Sequence, residues 1–146
     1  MTTKWPQLNA LPTLENAAFA GVYRVDIPQA EHLAQTGARL GFHLARADLS
    51  ACGAHKTQML NELSHCLAMP ATCARNWDAL EDGLNDLSWL PAGGYVIIAS
   101  ADPRLPAVAT ALEILQTSCR QWAARRIPMW VFILDTGNSS TKEPDL

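Results

Sequence analysis

Two continuous apolar runs stand out in the second half of the chain, at residues 93–100 (GGYVIIAS) and 129–134 (MWVFIL). Apolar runs that do not alternate with polar residues are typical of strands buried on both faces, which favours a parallel sheet. We therefore expect the two runs to form neighbouring or near-neighbouring strands. Two further strands are predicted at residues 21–27 (GVYRVDI), which should extend the sheet, and at residues 42–49 (FHLARADL).

Helical periodicity fills the segments between these runs. Residues 28–40, 55–69 and 106–127 repeat apolar side chains at intervals of three and four positions, which predicts amphipathic helices. Pro28 suits the first turn of its helix, and Pro70 ends the second helix. The apolar stripes of these three helices are formed by Ala30, Leu33, Ala34, Gly37 and Leu40, by Met59, Leu60, Leu63 and Leu67, and by Val108, Leu112, Leu115, Cys119 and Trp122, the last of which is expected to be a core stripe.

This alternation of strands and helices indicates an α/β fold with right-handed crossovers. We expect a short, mainly parallel β-sheet covered by helices, in two or three layers. A length of 146 residues predicts one domain. We place that domain at residues 19–136, between a proline-containing lead (1–18) and a polar tail (137–146) that should be flexible.

A fourth helix carries the most unusual charge pattern. Asn76 can cap it, and Trp77, Leu80, Leu84 and Leu87 should face the core. The opposite face holds three acids, and like charges at i,i+4 repel by roughly 0.2–0.5 kcal/mol per pair. These acids are Asp78, Glu81 and Asp82.

The dipole of the helix explains only part of this pattern. Asp78 falls in the first turn, where a negative charge is favourable, but Glu81 and Asp82 lie beyond it. No lysine or arginine lies between Asn76 and Trp89 to relieve the repulsion. The pattern leaves two interpretations open, a solvated acidic face and a surface that binds a basic partner.

The acidity is confined to this helix, as the charge of the whole chain indicates. The formal net charge is −3, and the segment 76–89 carries four acids and no base, so the remainder is nearly neutral. A local acidic patch argues against direct binding of nucleic acid and favours a basic protein as partner. The apolar content of 49% and the charged content of 17% are those of a globular chain.

Cysteine usage and the missing sequence motifs narrow the functional classes. The four cysteines form no C-x-x-C pair, no signal-like start is present, and no apolar run reaches the ~18 residues of a membrane span. We expect a reduced cytoplasmic protein with free thiols that does not associate with membranes. His65, Cys66 and Cys73 are too few ligands for a zinc site, so neither a metal nor a cofactor is expected.

Enzymatic chemistry finds little support in the sequence. There is no P-loop, no G-x-S-x-G elbow and no G-x-G-x-x-G after a strand. Asp78 and Asp82 could be imagined as a general acid and base. One turn of a convex helix supplies no pocket for them, however, and catalytic carboxylates need one. The sequence therefore predicts a protein that is not an enzyme.

One segment resembles a known family. Residues 70–87 (PATCARNWDALEDGLNDL), and RNWDALEDGL within them, are similar to the recognition segment of the barstar family of intracellular inhibitors of microbial ribonucleases. That family has a strand, a helix ending at a proline, a short loop, N-[aromatic or Leu]-D-A-L-x-[DE]-x-L on a second helix, a buried strand, a long helix and a final apolar strand. This order is matched from about residue 42 to residue 134, so residues 21–40 would be an additional N-terminal β-α unit.

The resemblance implies a non-enzymatic inhibitor of a cytotoxic ribonuclease, in effect an immunity protein. Its second helix and the preceding loop would enter the substrate cleft of the nuclease, where carboxylates take the positions of RNA phosphates. Asp82 would be the central carboxylate, Asp78 a second charged contact, and Asn76 would shape the junction of loop and helix. The other residues expected at the interface are Glu81, Arg75, Cys73, Thr72 and Asn85.

Four positions depart from the family pattern. The loop usually carries aromatic residues and a glycine where this chain has Thr72, Cys73 and Ala74, and an aromatic residue often stands at the position of Glu81. Interface energy commonly concentrates in aromatic anchors. An alternative is therefore a barstar-fold interaction module whose basic partner is not a nuclease.

Overall fold

Four parallel strands form one sheet, in the order β1-β4-β3-β2. The structure is a computed structural model that describes residues 4–52 and 55–137. The strands are β1 (Val22–Val25), β2 (His43–Asp48), β3 (Tyr95–Ala101) and β4 (Met129–Asp135). The two apolar runs pair directly as β3 and β4, and β1 extends the sheet beyond β4. The predicted parallel α/β fold is confirmed. Residues 138–146 of the predicted tail lie outside the described residues.

Helices cover both faces of this sheet, so the fold has three layers. They are α1 (Ile27–Arg39), α2 (Lys56–Cys66), α3 (Trp77–Asp86) and α4 (Pro106–Ala124). The connection from β1 to β2 crosses the sheet in the direction opposite to the next two connections. Crossovers of one hand then place α1 on one face and the other three helices on the opposite face. The two hydrophobic clusters reflect this division.

The described part of the N-terminal lead packs onto the domain. Leu8 and Leu14 are buried beside α1, and Leu14 O accepts a hydrogen bond of 2.9 Å from Trp130 Nε1. The amide of Leu8 donates to Arg24 O at 2.8 Å, and the amide of Arg24 donates to Pro6 O at 2.8 Å. This segment therefore covers the open edge of β1 as well as part of the α1 face.

Two helices end three residues before the positions that periodicity predicts. In each case the second residue after the helix has left-handed backbone, Ala68 with φ 53° and Arg126 with φ 63°. After α2, the amide of Ala68 donates to His65 O and the amide of Met69 donates to Ser64 O. This is the Schellman arrangement, which usually places glycine at the left-handed position. Because neither residue is a glycine, the sequence lacks the usual glycine signal at these two positions.

Replacing Ala68 by glycine is expected to stabilise the protein. Ala68 is exposed, so the change removes the cost of a left-handed L-residue and little packing. We expect Ala68→Gly to raise the free energy of unfolding by about 1 kcal/mol, measured by urea denaturation. Ala124→Gly, in the last turn of α4, is the matched control and should lower it by up to about 1 kcal/mol. A loss of stability in Ala68→Gly would contradict the left-handed assignment.

Candidate functional site

A short turn leads the chain from α2 to α3 and packs tightly against α3. It is a 3-10 turn, Ala71–Ala74, in which the amide of Cys73 donates to Pro70 O at 2.9 Å. Cys73 is nearly buried. A Cβ atom added at Gly83 would lie 2.7 Å from Cys73 Sγ and 3.3 Å from Met69 Sδ. Glycine at position 83 is therefore what allows the turn to approach the helix.

The beginning of α3 is fixed by a side-chain cap, as predicted. Asn76 Oδ1 accepts a hydrogen bond of 2.7 Å from the amide of Ala79. This bond satisfies one of the amides that the first turn of a helix leaves without a partner. The side chain of Asn76 is thus already engaged in holding the junction of turn and helix.

The inner face of α3 anchors it to the core. Leu80, Leu84 and Leu87 are buried, and Trp122 Nε1 donates to Leu84 O at 2.7 Å across to α4. Leu87 ends the helix in the left-handed region with φ 45°. Its buried side chain offsets the cost of that backbone conformation. A helix held in this way presents its outer face on a rigid support.

The outer face carries a row of carboxylates. Asp78, Asp82 and Asp86 are exposed and follow one another at intervals of four residues, whereas Glu81 is half-buried. Within the described part of the chain, none of these four acids has a basic partner within 4.0 Å. The exposed row therefore continues to Asp86, one turn beyond the acids that the sequence singled out.

A groove of about 300 Å³ lies between the turn and this row. Among the predicted interface residues, the groove brings together Thr72, Cys73, Arg75 and Asp82. Asp86 and Trp89 are among the lining residues that sequence reasoning did not assign to the interface. Asp86 could have been found by extending the four-residue spacing from Asp82. Nothing in the sequence alone points to Trp89.

The remaining predicted interface residues lie outside the groove. Asp78 is exposed near the start of α3, and Asn76 caps that helix. Glu81 and Asn85 are half-buried, and Asn85 Oδ1 is a buried atom with no hydrogen-bond partner among residues 4–52 and 55–137. A partner that covers the whole face would therefore meet a groove and a separate carboxylate at Asp78.

The Cys73 thiol, which lines the groove, has the properties of a packing group rather than of a reactive one. Burial raises the pKa of Cys73, and the negative charges of Asp86 and Asp82 raise it further. A thiol held in its neutral form is a poor nucleophile. The four cysteines are unpaired. The part of the chain that the structure describes contains no group of three or more histidine, cysteine, aspartate or glutamate residues placed to hold a metal ion.

The raised pKa values of two other thiols predict that the protein loses stability at alkaline pH. Burial raises the pKa of Cys66 and of Cys119 from 9.0 to about 12. Above pH 9 the unfolded chain therefore loses thiol protons that the folded chain keeps, so the free energy of unfolding falls as pH rises from about 9 towards 12. The expected slope is up to about 1.4 kcal/mol per pH unit for each thiol.

Denaturation in urea between pH 8 and pH 11 measures this slope. Cys119→Ala removes one of the two thiols and should make the curve less steep. Cys52→Ala is the comparison variant, because burial raises the pKa of Cys52 less than that of Cys119, so this change should flatten the curve less. Equal slopes in Cys119→Ala and in the parent protein would contradict the assignment.

The contact between the turn and α3 predicts a coupled pair of mutations. Gly83→Ala should place its methyl group against Cys73 Sγ and destabilise the protein by about 1–3 kcal/mol. Removing Sγ in Cys73→Ala leaves the nearest sulfur 3.3 Å from the new methyl group. The double variant should therefore be more stable than the sum of the single variants implies. Additive effects in urea denaturation would show that the turn does not rest on Gly83.

Comparison with protein families places this site in a known context. Residues 42–134 match the model of the family described as Barstar (barnase inhibitor), which is more than half of the chain. The chain belongs to the barstar family, and the resemblance seen in the sequence is confirmed. The matched segment contains β2 to β4, α2 to α4 and the groove, whereas β1 and α1 lie outside it. No curated protein and no solved structure matches the chain.

In residues 4–52 and 55–137, none of the helices is both long and apolar enough to cross a membrane.

Proposed function

We propose that this protein is a non-enzymatic inhibitor of a cytotoxic ribonuclease, in effect an immunity protein acting in the cytoplasm. The outer face of α3 and the turn Ala71–Ala74 would cover the basic active site of the nuclease. The chain belongs to the family described as Barstar (barnase inhibitor), which supports this class of target. The observation that carries the proposal is the exposed row of carboxylates on a firmly anchored helix, with no basic partner among the described residues.

The physical basis is charge complementarity. A ribonuclease must bind phosphates, so its active site concentrates cationic side chains. Successive carboxylates of the row are about 5–6 Å apart at Cβ, close enough to engage several of those cations together. Complementary charge also speeds encounter between the partners. The repulsion that the row costs the free protein would then be relieved in the complex.

Within this proposal the residues have different roles. Asp82 is the central carboxylate because the family resemblance gives it that role and because it lies in the exposed row between Asp78 and Asp86 and lines the groove. Asp78 makes a second charged contact near the start of α3. Thr72, Cys73 and Arg75, in and just after the turn, line the same groove. The contacts assigned to the margins of the interface are Asn76, Glu81 and Asn85.

A second candidate is an interaction module with a basic partner that is not a nuclease. The turn favours this candidate, since it holds Thr72, Cys73 and Ala74 where the family usually has aromatic residues and a glycine. Without those aromatic anchors, barnase should be bound less tightly than the natural target.

Inhibition assays separate the two candidates. We expect the chain to inhibit barnase, or a ribonuclease captured from the source cells on the immobilised chain, at a one-to-one ratio in a fluorogenic RNA-cleavage assay. Glu15→Gln removes one negative charge from an exposed position next to Leu14, which packs in the cluster beside α1, and should inhibit like the parent. If barnase stays active and the captured basic proteins have no nuclease activity, the inhibitor proposal fails and the interaction module stands.

A further inference from the structure

The groove beside α3 contains two residues beyond the end of the family pattern. That pattern runs from Asn76 to Leu84 in this chain, whereas Asp86 and Trp89 line the groove further along. Trp89 is half-buried, and its Nε1 donates to Leu67 O at 3.1 Å. This bond fixes the indole ring in the wall of the groove.

We propose that this groove receives an arginine side chain of the partner, with Asp82 and Asp86 as its carboxylate contacts and the Trp89 ring as a flat wall. Asp86 and Trp89 would then determine which partner is accepted. The proposed function supplies the expectation that the partner is a basic protein. The affinity of the groove for a guanidinium group is a property of this chain and can be measured without any partner.

The side chains that line the groove favour arginine over lysine. Asp82 and Asp86 are one helical turn apart, about 5–6 Å at Cβ, so both can accept hydrogen bonds from a single group that has several donors. A guanidinium is planar and stacks on aromatic rings, whereas an ammonium is a compact and strongly hydrated charge. The Trp89 ring also supplies an aromatic contact that the turn lacks at Thr72 and Cys73.

Removing the positive charge of Arg75 should strengthen the binding of arginine, whereas removing a carboxylate should weaken it. Arg75 lines the same groove and, among the described residues, forms no ion pair. Its positive charge opposes the entry of a second cation. Arg75→Gln should therefore strengthen the binding of arginine. If the groove instead receives an anionic group, the same change should weaken binding.

The experiment titrates the ¹⁵N-labelled protein with N-acetylarginine methylamide. We expect saturable shifts of the Trp89 indole N–H and of the amides of Thr72 and Asp86. The lysine analogue should bind more weakly, and the neutral citrulline analogue should leave these signals unchanged. Shifts that do not saturate, or equal responses to the arginine and citrulline analogues, would overturn the proposal.

Variants locate the binding in the groove. Asp86→Asn should raise the dissociation constant of the arginine analogue by about twofold to fivefold, the range of an exposed ion pair. Glu15→Gln removes the same charge elsewhere and should not change it. Trp89→Phe keeps a flat wall and should retain the preference for arginine over lysine, which Trp89→Leu should lose. An unchanged dissociation constant in Asp86→Asn would contradict the assignment, whatever the Trp89 variants do.

This test and the inhibition assay can fail separately. Binding of arginine in the groove without inhibition of any ribonuclease would leave the present inference standing and remove the proposed function. Inhibition that persists in Asp86→Asn, together with no response to the arginine analogue, would keep the proposed function and remove the present inference.

Discussion

A chain shortened to residues 42–146 is expected not to fold, although it contains the whole segment matched by the family. Its sheet would keep β2, β3 and β4 but lose the cover of one face. That cover comes from residues before position 42, chiefly α1 and the buried side chains of Leu8 and Leu14. The face left open carries Val96, Ile98, Trp130 and Phe132, each at most 2% exposed in the complete structure.

The size of the loss supports this expectation. Burying a large apolar side chain contributes about 1.5–3 kcal/mol, so four of them account for about 6–12 kcal/mol. The whole stability of a domain is about 5–15 kcal/mol. Trp130 Nε1 would also lose its acceptor, Leu14 O, and β4 would become an open edge. Such an edge invites pairing with other chains.

Circular dichroism of the shortened chain checks the prediction. We expect no near-ultraviolet signal from ordered tryptophan and no cooperative transition in urea. The control is Leu33→Ala in the full chain, which should fold but lose about 2–5 kcal/mol because Leu33 is buried against the same face. A cooperative transition in the shortened chain would show that residues 42–146 contain their own complete core.

The strands and the helix start were predictable because their determinants are local. The apolar side chains of β3 and β4 point to both faces of the sheet, so they are buried only when both faces are covered. The oxygen that caps α3 belongs to the side chain of Asn76 itself. The early end of α2 was not predictable, because it depends on a left-handed Ala68 where glycine would be the usual signal. Propensity assigns no such conformation to an alanine.

The candidate site was predictable only in part, for a similar reason. The charges of Asp78 and Asp82 follow from helical spacing, and the family resemblance supplied their role. The groove depends on a contact between Cys73 Sγ and Gly83, residues that belong to different elements. The indole of Trp89 enters the wall because its Nε1 reaches Leu67 O, the end of another helix. Contacts of this kind arise from tertiary packing and leave no period in the sequence.

Asp82 is expected to matter more for binding than for folding. It is exposed and has no basic partner among the described residues, while Asp78 and Asp86 flank it at i,i+4 spacing. Asp82→Ala relieves that repulsion, so the free energy of unfolding should stay the same or rise, within about 0.5 kcal/mol. Binding to a ribonuclease that the chain inhibits should weaken by several kcal/mol, because the cations that Asp82 faces would be left without their partner. This general magnitude is known in part from complexes of the barstar family itself.

Comparison variants separate charge from fold in this prediction. Asp78→Ala should weaken binding less and cost some stability at the start of α3. Leu84→Ala, on the buried face, should do the reverse of Asp82→Ala and destabilise by about 2–5 kcal/mol, with binding changed only through folding. Association should also slow as salt rises, because screening shortens the reach of the carboxylate row. Urea denaturation and titration calorimetry on the three variants provide the measurements. If Asp82→Ala unfolds the protein, the carboxylate supports the fold. If the variant binds as tightly as the parent, the carboxylate row plays no part in recognition. Either result removes the basis of the inhibitor proposal.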